Sequence, residues 1–204
     1  MKPLATDQIR NLGLFAHGGA GKTSLAEALL FAAGAISRLG RVEDGTTQSD
    51  YEPEEVRRRI SIGLSVLSFN WGDCRLNLLD APGYADFIGE VHEAIRVVDC
   101  AAVLFEAQGT VETGAEYAWR LADEQGLPRL VVISKMDREN ANFQRILDQV
   151  RARFGTRVLP IQIPIGAESS FAGHVDLITM KAYRGADGTP GEIPSDLVAA
   201  AQSA

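Results

Sequence analysis

The chain has 204 residues, 46% of them hydrophobic and 23% charged, the make-up of an ordinary globule large enough to bury a core without staples. Its formal net charge of −7 argues against general affinity for nucleic acid or an anionic membrane, and no run is apolar and long enough to span a bilayer. With no secretory leader in evidence, the expected setting is the cytoplasm. His17, His92 and His174 are scattered, so no Cys/His cluster has zinc spacing; Cys74 and Cys100 fall inside expected strands and read as buried thiols rather than a disulfide.

Residues 1–8 read as a polar lead-in, and Ile9 to Phe15 as a buried strand. Next come Ala16-His17-Gly18-Gly19-Ala20-Gly21-Lys22-Thr23 and a helical run with Leu25, Leu29 and Leu30, stopping near Gly34. Strand, glycine turn and helix is the context of a phosphate-binding loop, here with Ala in place of its first Gly. Gly18, Gly19 and Gly21 let successive backbone N–H groups point into one concavity, and the helix adds its positive end. Lys22 would reach the β and γ phosphates and Thr23 would give its hydroxyl to Mg²⁺. The bland alternative is a glycine-rich turn that binds nothing.

Ala35 to Arg59 has poor periodicity, and a loop of that length in a compact domain either works or is disordered. Within it, Glu52 to Arg59 reads equally as a solvated, charged helical turn. Ile60 to Trp71 alternates as a strand through Ile60, Ile62, Leu64 and Val66 and, after a slip, Phe69 and Trp71. Gly72-Asp73 makes a hairpin turn, and Cys74 to Leu79 returns to Asp80-Ala81-Pro82-Gly83. Tyr84 to Val98 reads as a helix with Ile88, Val91, Ile95 and Val98 on one stripe. Ala101–Phe105 and Arg129–Ile133 read as buried strands, the second ending on Ser134-Lys135-Met136-Asp137. Thr113–Gln125 and Asn142–Phe154 read as helices.

After Arg157 the composition changes. Val158 to Ile165 alternates around two prolines, Ala167 to Tyr183 carries strand-like pairs around Gly173, Gly185 to Pro194 reads as a turn region, and the last ten residues begin a weak helix. The alternation of strands and helices predicts an α/β fold with a mostly parallel sheet and helices on both faces. The three motif segments each follow a strand, so they are expected on one edge of that sheet.

Asp80 and Gly83 have separate jobs at such an edge. A strand-end carboxylate holds Mg²⁺, usually through water, while a Gly N–H can approach a γ-phosphate because no Cβ blocks it. Asp137 would accept two hydrogen bonds from the N1–H and exocyclic amine of guanine, a pair that adenine does not offer. The stem of Lys135 can lie across the base; otherwise Lys135 and Asp137 form a surface ion pair. Ser61, at the end of the long loop, is a candidate second Mg²⁺ ligand or an ordinary strand serine.

From Ile9 to about Pro194 these residues resemble the G domain of translation elongation factor G, in the elongation-factor-G-like branch of translational GTPases. The loop at Ala16–Thr23 is close to the family's Ala-His-x-Asp-Ala-Gly-Lys-Thr. Asp80 to Phe87 resembles Asp-Thr-Pro-Gly-His-x-Asp-Phe, and Ser134 to Arg138 resembles Asn-Lys-Met-Asp-Arg. Pro160 to Tyr183 resembles the start of the insert characteristic of that factor. The resemblance implies a P-loop NTPase with residues 1–157 as the G-domain core, lacking its last strand and helix, and 158–204 as the start of a small insert subdomain. It implies GTP or GDP with Mg²⁺ as ligands, held by His17, Gly18, Gly19, Ala20, Gly21, Lys22, Thr23, Ser24, Asp80, Gly83, Ser134, Lys135 and Asp137. Thr23, Ser61 and Asp80 would serve the metal, and Tyr84, Lys22 and Gly83 the chemistry. The implied partner is the ribosome, reached through a larger parent protein, with a monomer and no sequence-specific nucleic-acid contact expected from this domain.

Four departures from the family pattern matter. The family's catalytic His is Tyr84, which can donate a hydrogen bond but carries no positive charge at neutral pH. Gly19 replaces an Asp, Ser61 a Thr and Ser134 an Asn. A nucleotide-responsive binding module with little hydrolysis is therefore the alternative to a working GTPase, and a P-loop ATPase of another type is a third.

Overall fold

A computed structural model describes residues 4–185 and 188–203. Residues 1–3 of the expected lead-in, 186 and 187 of the expected turn region, and 204 lie outside the described residues. The chain divides into two compact units, Met1–Leu104 with Glu112–Val132 and Phe105–Val111 with Ile133–Ala204.

The first unit is built on a five-stranded sheet whose last two strands have their final residues in the second unit. Its strands are β1 (Ile9–Phe15), β2 (Ser65–Trp71), β3 (Cys74–Asp80), β4 (Cys100–Glu106) and β5 (Arg129–Ser134), in the order β2-β3-β1-β4-β5. β1 pairs in parallel with β3 and with β4, whereas β2 is antiparallel to β3. The helices are α1 (Lys22–Ala32), α2 (Pro53–Arg58), α3 (Ile88–Ile95) and α4 (Thr113–Glu124). Successive strand residues point to opposite faces, and here each face has its own core. Leu14, Leu78, Ala102 and Leu104 pack with Ala26 and Leu30 of α1. Phe15, Leu79 and Ala101 pack instead with Val91, Ala94 and Ile95 of α3 and Ala118 and Leu121 of α4. The mostly parallel sheet with helices on both faces is thus the observed one.

Two expectations change in detail. The strand expected from Ile60 begins only at Ser65, because the preceding donors are already committed: Glu55 Oε1 accepts the N–H groups of Ile62 and Gly63 at 2.8 and 3.0 Å, and Glu90 Oε2 accepts that of Leu64 at 2.7 Å. A backbone whose donors point at carboxylates has none left for a ladder. On β2 itself Ser65 and Phe69 face inward, while Val66 and Trp71 are exposed. The helix expected from Tyr84 starts later, since Tyr84 is extended and Ala85–Phe87 forms a 3₁₀ turn before α3. The hairpin turn lies where Gly72-Asp73 places it, with Trp71 opposite Cys74 and Gly72 at φ 58°.

The second unit carries α5 (Phe143–Phe154), capped by Asn142, whose side-chain oxygen accepts the Arg145 N–H at 2.9 Å. A four-stranded antiparallel sheet follows: β6 (Gln162–Ile165), β7 (Gly173–Asp176), β8 (Lys181–Arg184) and β9 (Thr189–Gly191), with α6 (Val198–Ser203) after it. Val175, Ala182 and Ala201 form its core with Ile163 and Leu177 beside them. The turn region expected at Gly185–Pro194 thus contains a short edge strand, made by pairing with β8 rather than by any local apolar pattern. Cys74 and Cys100 are free and only partly buried, not the buried thiols expected.

Candidate functional site

β1 and β3 lie side by side in parallel with Leu14 opposite Asp80, so the segments leaving their carboxyl ends start together. After β1 the chain turns through Gly19 at φ 85° and Gly21 at φ 92°, conformations that a side chain resists. Gly21 caps α1 with no side-chain hydrogen bond, which leaves the first N–H groups of that helix facing the loop. His17 and Ser24 are exposed.

Lys22 and Thr23 are buried at the start of α1. The Lys22 ammonium lies 3.2 Å from the His17 carbonyl oxygen and 3.5 Å from that of Ala16. Burial pulls its pKa below the usual lysine range, against the nearby charges of Asp80 and Asp50. The Thr23 hydroxyl donates to Asp80 Oδ2 at 2.7 Å and lies 3.1 Å from the Ser61 hydroxyl. Asp80 is 1% exposed, and its Oδ1 has no hydrogen-bond partner among the described residues. Burial pushes its pKa up to about 6, with the Thr23 hydroxyl and the Lys22 charge pulling the other way.

These residues fit a divalent cation. A buried carboxylate with one orphaned oxygen lacks positive charge, and the hydroxyl and carboxylate oxygens around it are the hard donors Mg²⁺ takes. The buried Lys22 ammonium, whose hydrogen bonds among the described residues go only to carbonyl oxygens, fits an anion such as phosphate. Gly83 comes close to the loop: a Cβ there would lie 2.4 Å from Lys22 Nζ and 2.6 Å from the Gly18 nitrogen. The Tyr84 ring covers Gly18, where a Cβ would meet ring atoms at 2.7 to 2.9 Å. Tyr84 is 40% exposed, and its hydroxyl makes no hydrogen bond among the described residues.

The structure adds a residue that sequence reasoning passed over. Asp50, in the long loop, is buried with its Oδ1 unpartnered among the described residues, and burial raises its pKa while the Ser61 hydroxyl lowers it. Nothing local distinguishes Asp50 from the exposed Glu43 and Asp44, because its burial comes from distant residues. Glu52–Arg59 combines its two readings. Glu54 pairs with Arg57 and Arg58 on the surface, while Glu55 is buried and holds the backbone next to Ser61.

The other motif segment belongs to the second unit. Ser134 ends β5 and donates to the Phe105 carbonyl oxygen at 3.3 Å. Lys135, at φ 57°, pairs with Glu106 at 3.0 Å, and Met136 packs with Ala107 and Ala141. Asp137 is exposed and lies 3.8 Å from Arg138. Lys135 and Asp137 therefore pair with other residues and not with each other, and the Asp137 carboxylate is open to a ligand.

A glycine loop entering a helix on Lys-Thr, beside a buried carboxylate at the end of the adjacent parallel strand, defines a P-loop nucleoside-triphosphate-binding domain. The family described as the elongation factor Tu GTP-binding domain matches residues 7–199, and the chain belongs to it. The family is one of translational GTPases, enzymes that bind guanine nucleotide, normally with Mg²⁺, and hydrolyse GTP. The chain is also similar to a solved crystal structure from Thermus thermophilus, with a TM-score of 0.90 and 39% identity over 96% of this chain. It spans 30% of the length of that protein. Among the described residues no helix is long and apolar enough to cross a membrane.

Proposed function

We propose that this chain is the Mg²⁺-dependent GTP-binding and GTP-hydrolysing domain of an elongation-factor-G-like protein that acts on the ribosome, in translocation or in ribosome disassembly. The observation that carries the reading is Asp80, buried, hydrogen-bonded to Thr23 and left with one orphaned oxygen. The setting is cytoplasmic and the domain monomeric. In this reading residues 1–157 form the G-domain core and 158–204 belong to the elongation-factor-G insert.

When bound, Mg²⁺ neutralises charge on the β and γ phosphates. Thr23 and Ser61 offer it hydroxyl oxygens and Asp80 a carboxylate. The backbone of His17–Gly21 cradles phosphate, and Lys22 holds its charge in a dry setting where the interaction is strong. Gly83, free of a side chain, brings its N–H to the γ-phosphate. Asp137 selects guanine, while Lys135 and Ser134 shape that loop. Tyr84 covers the phosphate loop at Gly18, and its hydroxyl can orient the attacking water but cannot supply positive charge to the transition state.

Tyr84 also favours a second reading, a module that responds to nucleotide by holding or releasing the loop at residues 35–59 while hydrolysing little. Loss of a proton-transferring group typically costs about 10²–10⁴ in rate. Calorimetry with GTP, GDP and ATP in Mg²⁺ tests the site: guanine-selective binding is expected, and preference for ATP overturns it. Single-turnover hydrolysis by Tyr84→His then separates the readings. A gain of about 10² or more identifies Tyr84 as the brake. Unchanged hydrolysis removes Tyr84 as the reason to prefer the second reading.

A further inference from the structure

Three glycines follow His17 in the phosphate loop, and they are not glycine for the same reason. Gly19 and Gly21 have φ of 85° and 92°, where a side chain is strained. A Cβ on Gly21 would meet nothing within 4 Å, so conformation alone calls for glycine there. Gly18 is the reverse case. Its φ is not positive, so the left-handed region is not what requires glycine. What excludes a side chain is the ring of Tyr84. The three atoms nearest to a Cβ at position 18 would be Cζ, Cε2 and Cε1 of that ring, at 2.7, 2.8 and 2.9 Å.

The ring is seated there by packing. Among the described residues its hydroxyl makes no hydrogen bond, and the His17 ring beside it lies 6.4 Å away between centroids, tilted by 53°. The backbone that carries the ring is fixed one residue earlier. A Cβ on Gly83 would lie 2.6 Å from the Gly18 nitrogen and 2.7 Å from the His17 carbonyl carbon. The segment after β3 thus meets the loop at two consecutive points, backbone on backbone at Gly83 and ring on backbone at Tyr84. A side chain at position 18 would displace only the second. The clashing atoms are the far end of a partly exposed side chain, which can turn away on its own torsions. In the family pattern position 18 is the open one and position 84 holds His. Here the open position is committed by the residue at 84.

We propose that Gly18 is a positioning residue for hydrolysis: having no side chain, it seats the Tyr84 ring on the phosphate loop and so fixes where the phenol hydroxyl stands. Gly18 and Tyr84 then act as one unit. A hydroxyl orients water only while it is held in place, and a misplacement of about 1 Å can cost about 10² in rate. The proposal rests on the GTPase reading of the site.

The first test is proton NMR on the wild-type chain with a non-hydrolysable GTP analogue and Mg²⁺. A nuclear Overhauser contact between the Gly18 α-protons and the Tyr84 ring is expected, and its absence overturns the proposal. The second test is single-turnover hydrolysis of GTP. Gly18→Ala is expected to slow it by about tenfold to a hundredfold, with affinities for GTP and GDP changed by less than about threefold, because the loop backbone stays in place. In a Tyr84→Ala background the same substitution is expected to cost at least about fivefold less in rate. An equal cost in both backgrounds overturns the positioning role, as does a loss of affinity as large as the loss of rate. So does a wild type that binds GTP without hydrolysing it. A wild type that binds no guanine nucleotide overturns the GTPase reading instead, and the role in hydrolysis with it; the same NMR contact, sought without nucleotide, then decides whether Gly18 seats the ring.

Discussion

Replacing Thr23 by Val keeps the shape of a β-branched side chain and deletes one hydroxyl. That hydroxyl donates to Asp80 Oδ2 at 2.7 Å, and Asp80 Oδ1 already has no partner, so the variant leaves a buried carboxylate without its Thr23 donor. A hydrogen bond to a charged group is worth about 1.5–3 kcal/mol. For a chain of this length that is a fall of about 3–12 °C in Tm at pH 7.5 without nucleotide. The pH dependence gives a second, sharper check. The folded pKa of Asp80 is raised from 3.8 to about 6, so between those values the native state holds more protons than the unfolded one. Stability of the nucleotide-free protein therefore falls as pH rises through that window, by up to about 3 kcal/mol from this group. At pH 5 the carboxyl is largely neutral in the folded wild type, and its hydrogen bond with Thr23 is worth only about 0.5–1.5 kcal/mol. The penalty of Thr23→Val should accordingly shrink by about half between pH 7.5 and pH 5. Thermal or urea unfolding at both pH values measures it. A penalty under about 0.5 kcal/mol at pH 7.5, or one equal at both, would refute the assignment of Thr23 as the support of a buried, charged Asp80.

Two further perturbations have defined outcomes. Gly83→Ala puts a Cβ within 2.6 Å of the Gly18 nitrogen, a backbone atom that cannot swing aside, so the segment after β3 must retreat from the phosphate loop. Overpacking of this kind costs about 1–3 kcal/mol, and calorimetry should show loss of GTP affinity exceeding loss of GDP affinity. Asn142→Ala removes the acceptor for the Arg145 N–H at the start of α5 and should lower stability by about 1 kcal/mol in denaturant unfolding, with nucleotide affinity unchanged.

Elements with a local signal were legible from the residues alone. Leu25, Leu29 and Leu30 announce α1, the Gly72-Asp73 pair announces the hairpin, and the glycines at 19 and 21 announce a turn that only they adopt easily. Parts of the site resting on long-range contacts were not. Asp50 and Glu55 look like any other carboxylates in a charged stretch, and Glu27 like a solvated residue of a helix, yet all three are buried. Their burial is created by a loop folding back on α1 and on the strand after it, and no periodicity records that. The strand expected from Ile60 failed for the same reason. Its alternation was genuine, but the N–H groups of Ile62, Gly63 and Leu64 were taken by Glu55 and Glu90. The short β9 exists only because β8 offers an open edge.

The placing of β1 at the middle of its sheet has a consequence for how the protein is made. Its neighbours, β3 and β4, lie far along the chain: Leu14 is opposite Asp80 on one side and Ala102 on the other. The phosphate loop is therefore synthesised before either of the two strands that flank β1 in the sheet. Pairings of such high contact order form slowly, and until they form, the apolar strand from Ile9 to Phe15 has exposed edges on both sides. The apolar strand is therefore an aggregation hazard in the interval between synthesis of Phe15 and emergence of Val103.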